Sequence, residues 1–345
     1  MAQPFDAVLL ISFGGPLGPG DVRPFLENVL RGRPTTPERI DRIASHYHAF
    51  GGVSPLTALT LRQARALEAR LSREGASLPV FVGMRNWHPF LHDTLQDMSA
   101  AGVRRAVGLI AAPHRSFSSC EQYRRNVEAA RAAVRSRHGR APDVIYVGDW
   151  HTHPELVAAH AARIERALAR LPAALQPRAG LIFTAHSLPE ALARRGPYVR
   201  QIEESAGLVA QAVGLAYRVV YQSRSGRPEE PWLGPDVNDH LREVRQLGLE
   251  AAVICPIGFV CDHLEVLYDL DVEAAATCRE IGLPMVRAES VNDDPRFIAA
   301  WADAVTAVMS RYARGRPLSL HVSPGTPHSR IAGPAADTRP AEPTR

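Results

Sequence analysis

Ala251-Ala252-Val253-Ile254-Cys255-Pro256-Ile257-Gly258-Phe259-Val260-Cys261-Asp262-His263-Leu264-Glu265 is the stretch from which the rest of the chain can be read. Residues 251–257 form an apolar run closed by glycine, the pattern of a buried strand. In α/β proteins the loop leaving the carboxyl end of a parallel strand is where sites are built, so chemistry is expected from Gly258 onward. Downstream, Glu265, Asp269 and Glu273 recur every fourth residue, with Asp262, His263 and Asp271 beside them. On a helix they form one carboxylate stripe, although like charges at this spacing cost roughly a few tenths of a kcal/mol per pair. Two readings follow: a solvated acidic face, or a ladder for a divalent cation or for protons.

Outward from this strand the same pattern repeats. Strands are expected at 6–13, 78–84, 106–112 and 143–148, and again at 180–185, 217–222, 251–257 and 283–287. Helical patterns at 56–73 and 120–137 separate members of the first set. Pro172 and Pro177 break the helix that starts near Pro154, between the two sets. Four strands, a break and four more argue an α/β chain of two doubly wound domains, each with a four-stranded parallel sheet, with a cleft between them. The expected division is 1–153, 154–291, a helix at 292–314 packing back on the first domain, and a disordered tail at 315–345.

Composition narrows the chemistry. The 345 residues, 46% hydrophobic, suit two cores. The net charge of +4 is no argument for nucleic acid, and all 40 basic residues are arginine. Without lysine there is no Schiff-base chemistry and no phosphate-loop lysine, whereas arginine suits bidentate recognition of carboxylates. No segment reads as a signal peptide or membrane span, so a cytoplasmic protein is expected. Cys120, Cys255, Cys261 and Cys278 form no Cys-x-x-Cys pair.

Two helix starts suit anions: Ser54, expected to cap a helix opening at Pro55, and Ser116, Ser118 and Ser119 ahead of Tyr123. Both also read simply as caps, and Arg31-Gly32-Arg33 as a solvated turn. Of fourteen histidines, His46, His48, His151 and His153 read as surface or capping residues without a close carboxylate. His186 differs, because it closes the strand Leu181-Ile182-Phe183-Thr184-Ala185 in the same half of the chain as Glu265. Metal handling on an anionic organic ligand fits this set of residues, and phosphoryl or acyl transfer fits it poorly.

Three long motifs then carry a resemblance. Thr184-Ala185-His186-Ser187-Leu188-Pro189, Gln222-Ser223 with Gly226 and Pro231-Trp232-Leu233-Gly234-Pro235-Asp236, and Gly258-Phe259-Val260 with Asp262-His263-Leu264-Glu265-Val266-Leu267-Tyr268-Asp269 together resemble the ferrochelatase family. The likeness runs from about Asp6 to about Ala313. It implies two Rossmann-like domains with a porphyrin in the cleft. It further implies His186 and Glu265 as the catalytic, metal-facing pair and Ser54 and Tyr123 as porphyrin contacts. Phe13, Arg31 and Tyr47 stand at matching positions around the ring, and Asp269 and Glu273 match an acidic path to the surface.

Ser12-Phe13-Gly14-Gly15-Pro16, Asn86-Trp87-His88-Pro89 and Ser118-Ser119-Cys120 look most like members from Gram-positive-type bacteria. Those insert ferrous iron into coproporphyrin III, which implies iron as substrate and a downstream coproheme decarboxylase as a partner. A monomer without membrane insertion is the expectation. Some relatives hold a two-iron two-sulfur cluster on a cysteine placed like Cys120 and on tail cysteines, but this tail has none. No cluster and no permanently bound cofactor are therefore expected. The alternatives are a protoporphyrin IX ferrochelatase, a chelatase for another metal and tetrapyrrole, or a porphyrin or haem carrier.

Overall fold

The computed structural model describes residues 4–32, 35–225 and 229–315. Arg33, Gly226 and the expected tail beyond Gly315 lie outside the described residues, as do the side chains of Ser118 and Ser119.

All eight expected strands are present, in two parallel sheets. The first holds β1 (Ala7–Ser12), β2 (Val80–Met84), β3 (Arg105–Ile110) and β4 (Asp143–Tyr146) in the order β2-β1-β3-β4. The second holds β5 (Ala179–His186), β6 (Tyr217–Gln222), β7 (Ala251–Cys255) and β8 (Met285–Arg287) in the order β6-β5-β7-β8. The two connectivities are identical. Most of the strands are shorter than expected because turn chemistry intervenes, although β5 runs one residue further at each end. Pro256 brings no N–H to continue β7, and Pro284 precedes β8 while its carbonyl still accepts from the Ala252 amide.

Helices α1 (Val22–Leu30), α2 (Pro37–His48) and α3 (Leu56–Arg73) lie between β1 and β2. Then α4 (Leu91–Ala100) and α5 (Gln122–His138) follow β2 and β3, and α6 (Pro154–Leu168) leads from β4 to β5. Side-chain alternation along each strand loads both faces of each sheet. Val8 and Leu10 of β1 join a core with α3 and the last helix, Pro295–Ala313, whereas Ala7, Leu9 and Ile11 join α4 and α5. On β7, Ala251, Val253 and Cys255 pack toward α6 and the helix Tyr198–Val213, and Ala252 and Ile254 toward the opposite face.

The last helix begins three residues later than expected. Asn292 has φ +49°, outside the helical region, and Asp294 caps the helix by accepting from the Arg296 amide at 3.0 Å. Phe297 and Trp301, wholly buried, then pack on Trp150 and against α3 and α6, on the first sheet. Helix α6 touches both bodies: Leu156 and Ala159 lie in the core of the first sheet, Ile164 and Ala167 in that of the second.

Candidate active site

In the second sheet all strands run parallel, and the strand order reverses between β5 and β7, the switch point where a ligand crevice opens. His186 is the last residue of β5. The loop after β7 returns to it, and Gly258 makes the return possible. A Cβ there would lie 2.7 Å from both Cα and Cβ of Ala185. The chain then enters a helix made of Leu264–Val266, a π-helical Leu267–Ala274 and Ala275–Glu280, which carries Glu265, Asp269 and Glu273. The expected stripe is therefore on a helix, but one widened to i→i+5 bonding, a form frequent at functional sites.

The imidazole of His186 is held from both sides. Its Nδ1 lies 2.5 Å from the Ser187 carbonyl, which only accepts, so Nδ1 carries a proton. Its Nε2 stands 3.4 Å from Glu265 Oε1. The backbone carbonyl of His186 accepts from the Tyr198 hydroxyl at 2.9 Å. The side chains remain 34% and 41% exposed, so the pair is open to a ligand. Burial opposes charge on His186, but the charge and hydrogen bond of Glu265 outweigh it and raise its pKa above the ordinary value. Burial likewise opposes ionisation of Glu265, yet His186 draws its pKa down to about 2. Asp269 goes the other way. Burial, reinforced by the Glu265 charge, pushes it up to about 7.

Ser223 supports both carboxylates and was not assigned a role from sequence. Its hydroxyl donates to Asp269 Oδ2 and lies within hydrogen-bond reach of Glu265, while Gln222 Nε2 donates to the same Asp269 oxygen at 3.1 Å. Ser223 has φ +62°, a left-handed conformation rare outside glycine and asparagine, at the carboxyl end of β6. Glu273, four residues beyond Asp269, is exposed, so the stripe runs from the His186 pair to the surface.

Other acidic neighbours do not belong to it. Asp262 accepts from Arg287 at 2.8 Å, the Ser290 amide at 3.0 Å and Asn292 Nδ2 at 2.8 Å. Asp271 pairs with the same guanidinium at 2.7 Å. Both anchor loops. His263 caps the helix, Nδ1 accepting from the Val266 amide at 3.4 Å.

The first sheet supplies the facing wall. Tyr47 of α2 senses Glu265: burial first, then that charge, raises its phenol pKa. Its ring lies 5.7 Å from Phe25, which lies 6.2 Å from Phe13, so Phe13 and Tyr47 are joined in one aromatic row. Ser54 is buried against Gly15, and its hydroxyl accepts from the Leu56 amide at 3.4 Å. The helix opens at Leu56, one residue later than expected. Tyr123 is buried in the layer with α4 and α5, with the Arg85 guanidinium 5.9 Å from its ring centre. Arg31 is not drawn in; it is exposed and bonded to Asn28 at 2.5 Å.

Of the four histidines dismissed from sequence, His46 and His151 require correction, and His153 caps as expected but has a carboxylate partner. His46 stacks on Tyr268 of the π-helical segment, ring centres 3.8 Å apart and planes 8° apart, and so links α2 to the site helix. His151 is buried, with Nε2 2.8 Å from Glu204, and His153 caps α6 while pairing with Asp303 at 3.3 Å. Tyr268, Glu204 and Asp303 all come from distant sequence, which local spacing does not reveal. Among the described residues, no three His, Cys, Asp or Glu side chains gather as ligands of one metal ion.

Two like-connected parallel sheets with a His–carboxylate pair at a switch point make this a two-body, doubly wound α/β protein with its candidate site at the strand ends. The sirohydrochlorin chelatase SirB from Bacillus subtilis subspecies spizizenii, in complex with cobalt, shares the fold with TM-score 0.54 and 10% identity over 90% of this chain and 98% of that one. DR2241 from Deinococcus radiodurans, described as similar to chelatases, shares it with TM-score 0.51 and 15% identity over 87% of this chain and 55% of that one. The Ferrochelatase family profile matches residues 5–309, and the chain belongs to that family. The coproporphyrin III ferrochelatases of Mycobacteroides abscessus and Streptomyces coelicolor are each 45% identical, over 91% and 88% of this chain and 90% and 85% of theirs. That of Mycobacterium avium is 47% identical over 87% of both chains.

Proposed function

We propose that the chain inserts ferrous iron into coproporphyrin III, giving Fe-coproporphyrin III, with His186 and Glu265 as the catalytic pair. The observation that carries this is the fixed tautomer of His186. Nδ1–H is committed to the Ser187 carbonyl, so the neutral ring offers its only lone pair at Nε2, beside Glu265 and open to the cleft.

A free-base porphyrin must lose two inner N–H protons as the metal enters. Nε2 accepts a proton, and the Glu265 carboxylate stabilises the imidazolium formed. Asp269, with its pKa near neutrality, takes protons onward, and Glu273 completes an exit to solvent or an entry for the cation. His186 and Glu265 offer only two donors, so the pair can pass iron on to the four ring nitrogens rather than keep it. Iron is thus substrate. Ser54, Tyr123, Phe13 and Tyr47 would hold the ring on the facing wall.

The four propionates of coproporphyrin suit a protein that meets its substrate in water. In the α1–α2 hairpin Phe25, Leu26 and Ile40 are buried in a small core with Trp87 rather than presented to a bilayer. No described helix is long and apolar enough to cross a membrane. We read the protein as a cytoplasmic monomer that passes its product to a decarboxylase. No iron–sulfur cluster is proposed: Cys255, Cys261 and Cys278 are buried apart from the half-buried Cys120, and the segment after Gly315 has no cysteine. Anaerobically purified protein should lack cluster absorption in the visible.

The test is His186→Ala. Insertion should fall by about 10²–10⁴-fold, the span of a lost general base, while porphyrin affinity stays within about tenfold. Wild-type turnover by the variant would refute the assignment.

A further inference from the structure

His186 is held from behind by a helix that is itself fastened to the first sheet. Tyr198, Gln201 and Ser205 stand at i, i+3 and i+7 of Tyr198–Val213, one face of that helix, and all three are buried. Tyr198 donates to the His186 carbonyl at 2.9 Å. Gln201 reaches Asp149 through Nε2 at 3.1 Å, and its Oε1 accepts from the Arg115 amide at 2.7 Å. Ser205 Oγ lies 2.9 Å from the His151 carbonyl, 3.0 Å from the Gln201 carbonyl and 3.0 Å from His114 Nε2.

A hydroxyl has one hydrogen and both carbonyls only accept, so with the Ser205 hydrogen directed to one of them His114 Nε2–H is the donor to Oγ. The His114 ring, 2% exposed, packs edge-on against Tyr198 with centres 6.4 Å apart. Arg115 and His114 follow β3, Asp149 and His151 follow β4, and His186 ends β5. One helix face therefore connects the carboxyl ends of three strands from both sheets.

We propose that Tyr198 and His114 are positioning residues for insertion: His114 and Ser205 seat the helix on the first sheet, and Tyr198 transmits that seating to the His186 backbone. The seam then sets how far His186 Nε2 stands from a ring lying on the first-sheet wall. This rests on the assignment of His186 as proton acceptor. Misplacement by about 1 Å of a group at a reacting centre costs up to about 10²-fold in rate, so removing one support should be costly without unfolding the chain.

The experiment compares Tyr198→Phe, His114→Leu and His114→Gln in the full chain, with anaerobic ferrous iron insertion and porphyrin binding measured on the same samples. A glutamine amide reproduces the donor at the Nε2 position. Tyr198→Phe and His114→Leu should lose about 5- to 50-fold in kcat with KM and Kd for the porphyrin within about threefold, and His114→Gln should restore most of the loss. Should the folded variants keep wild-type kcat, or lose kcat and porphyrin affinity together, the proposal fails. Failure of Gln to rescue beyond Leu would likewise remove His114 from it. His186→Ala, run in parallel, separates the two claims: if it turns over normally, the proton-acceptor reading falls; if it is dead while Tyr198→Phe is normal, only the seam falls.

Discussion

His186 is basic because of where its two nitrogens point. With Nδ1–H bound to Ser187 and Nε2 beside Glu265, a raised pKa puts the imidazolium within reach at neutral pH, but a proton acceptor must begin neutral. Activity should therefore fall on the acid side through a pKa above the ordinary 6.5. In Glu265→Gln the cause of the elevation is gone while burial remains, so that limb should move to lower pH in whatever activity survives. A kcat–pH profile of both proteins checks the sign.

Asp269 gives a stability counterpart. Its pKa rises from 3.8 unfolded to about 7 folded, so across that window the folded state binds the proton more tightly and stability falls as pH rises. Asp269→Asn, neutral throughout, should narrow the difference in Tm between about pH 5 and about pH 8; an unchanged difference would contradict the raised pKa. Ser223 was visible in sequence only as part of a motif, because neither its positive φ nor its contact with Asp269, 46 residues away, leaves a local pattern. Ser223→Gly should keep the fold, since glycine adopts this conformation freely, and should lower kcat through the lost hydroxyl.

At the scale of elements, the acidic helix was legible as a stripe and its periodicity was right, but its π-helical winding was not. Spacing of four residues is compatible with either form. Glu265→Gln should be severe and Glu273→Gln mild, because the first meets His186 and the second meets solvent. Equal effects in steady-state insertion would reduce the stripe to a solvated face. The strands were readable because each is an apolar run closed by a turn residue. The pairings that place His46 on Tyr268 and His151 on Glu204 were not, since they join segments that sequence leaves far apart.

The whole molecule repeats one four-stranded connectivity, and the two copies are joined by α6, the last helix and the seam behind His186. Trp301, wholly buried among Trp150 and Phe297, belongs to that junction, so Trp301→Ala should cost about 3–5 kcal/mol and lower Tm by several degrees. Little change in thermal unfolding would show that the last helix is not part of the packed body. Strand number and position were open to reading from pattern; how one body rests on the other was not, because it depends on buried polar contacts such as His114 with Ser205. The central claim is the substrate, and it is tested most directly by anaerobic insertion of ferrous iron into coproporphyrin III and protoporphyrin IX side by side. The expected result is a clearly higher kcat/KM for coproporphyrin III, abolished in His186→Ala. A preference for protoporphyrin IX, or no insertion into either ring, would contradict it.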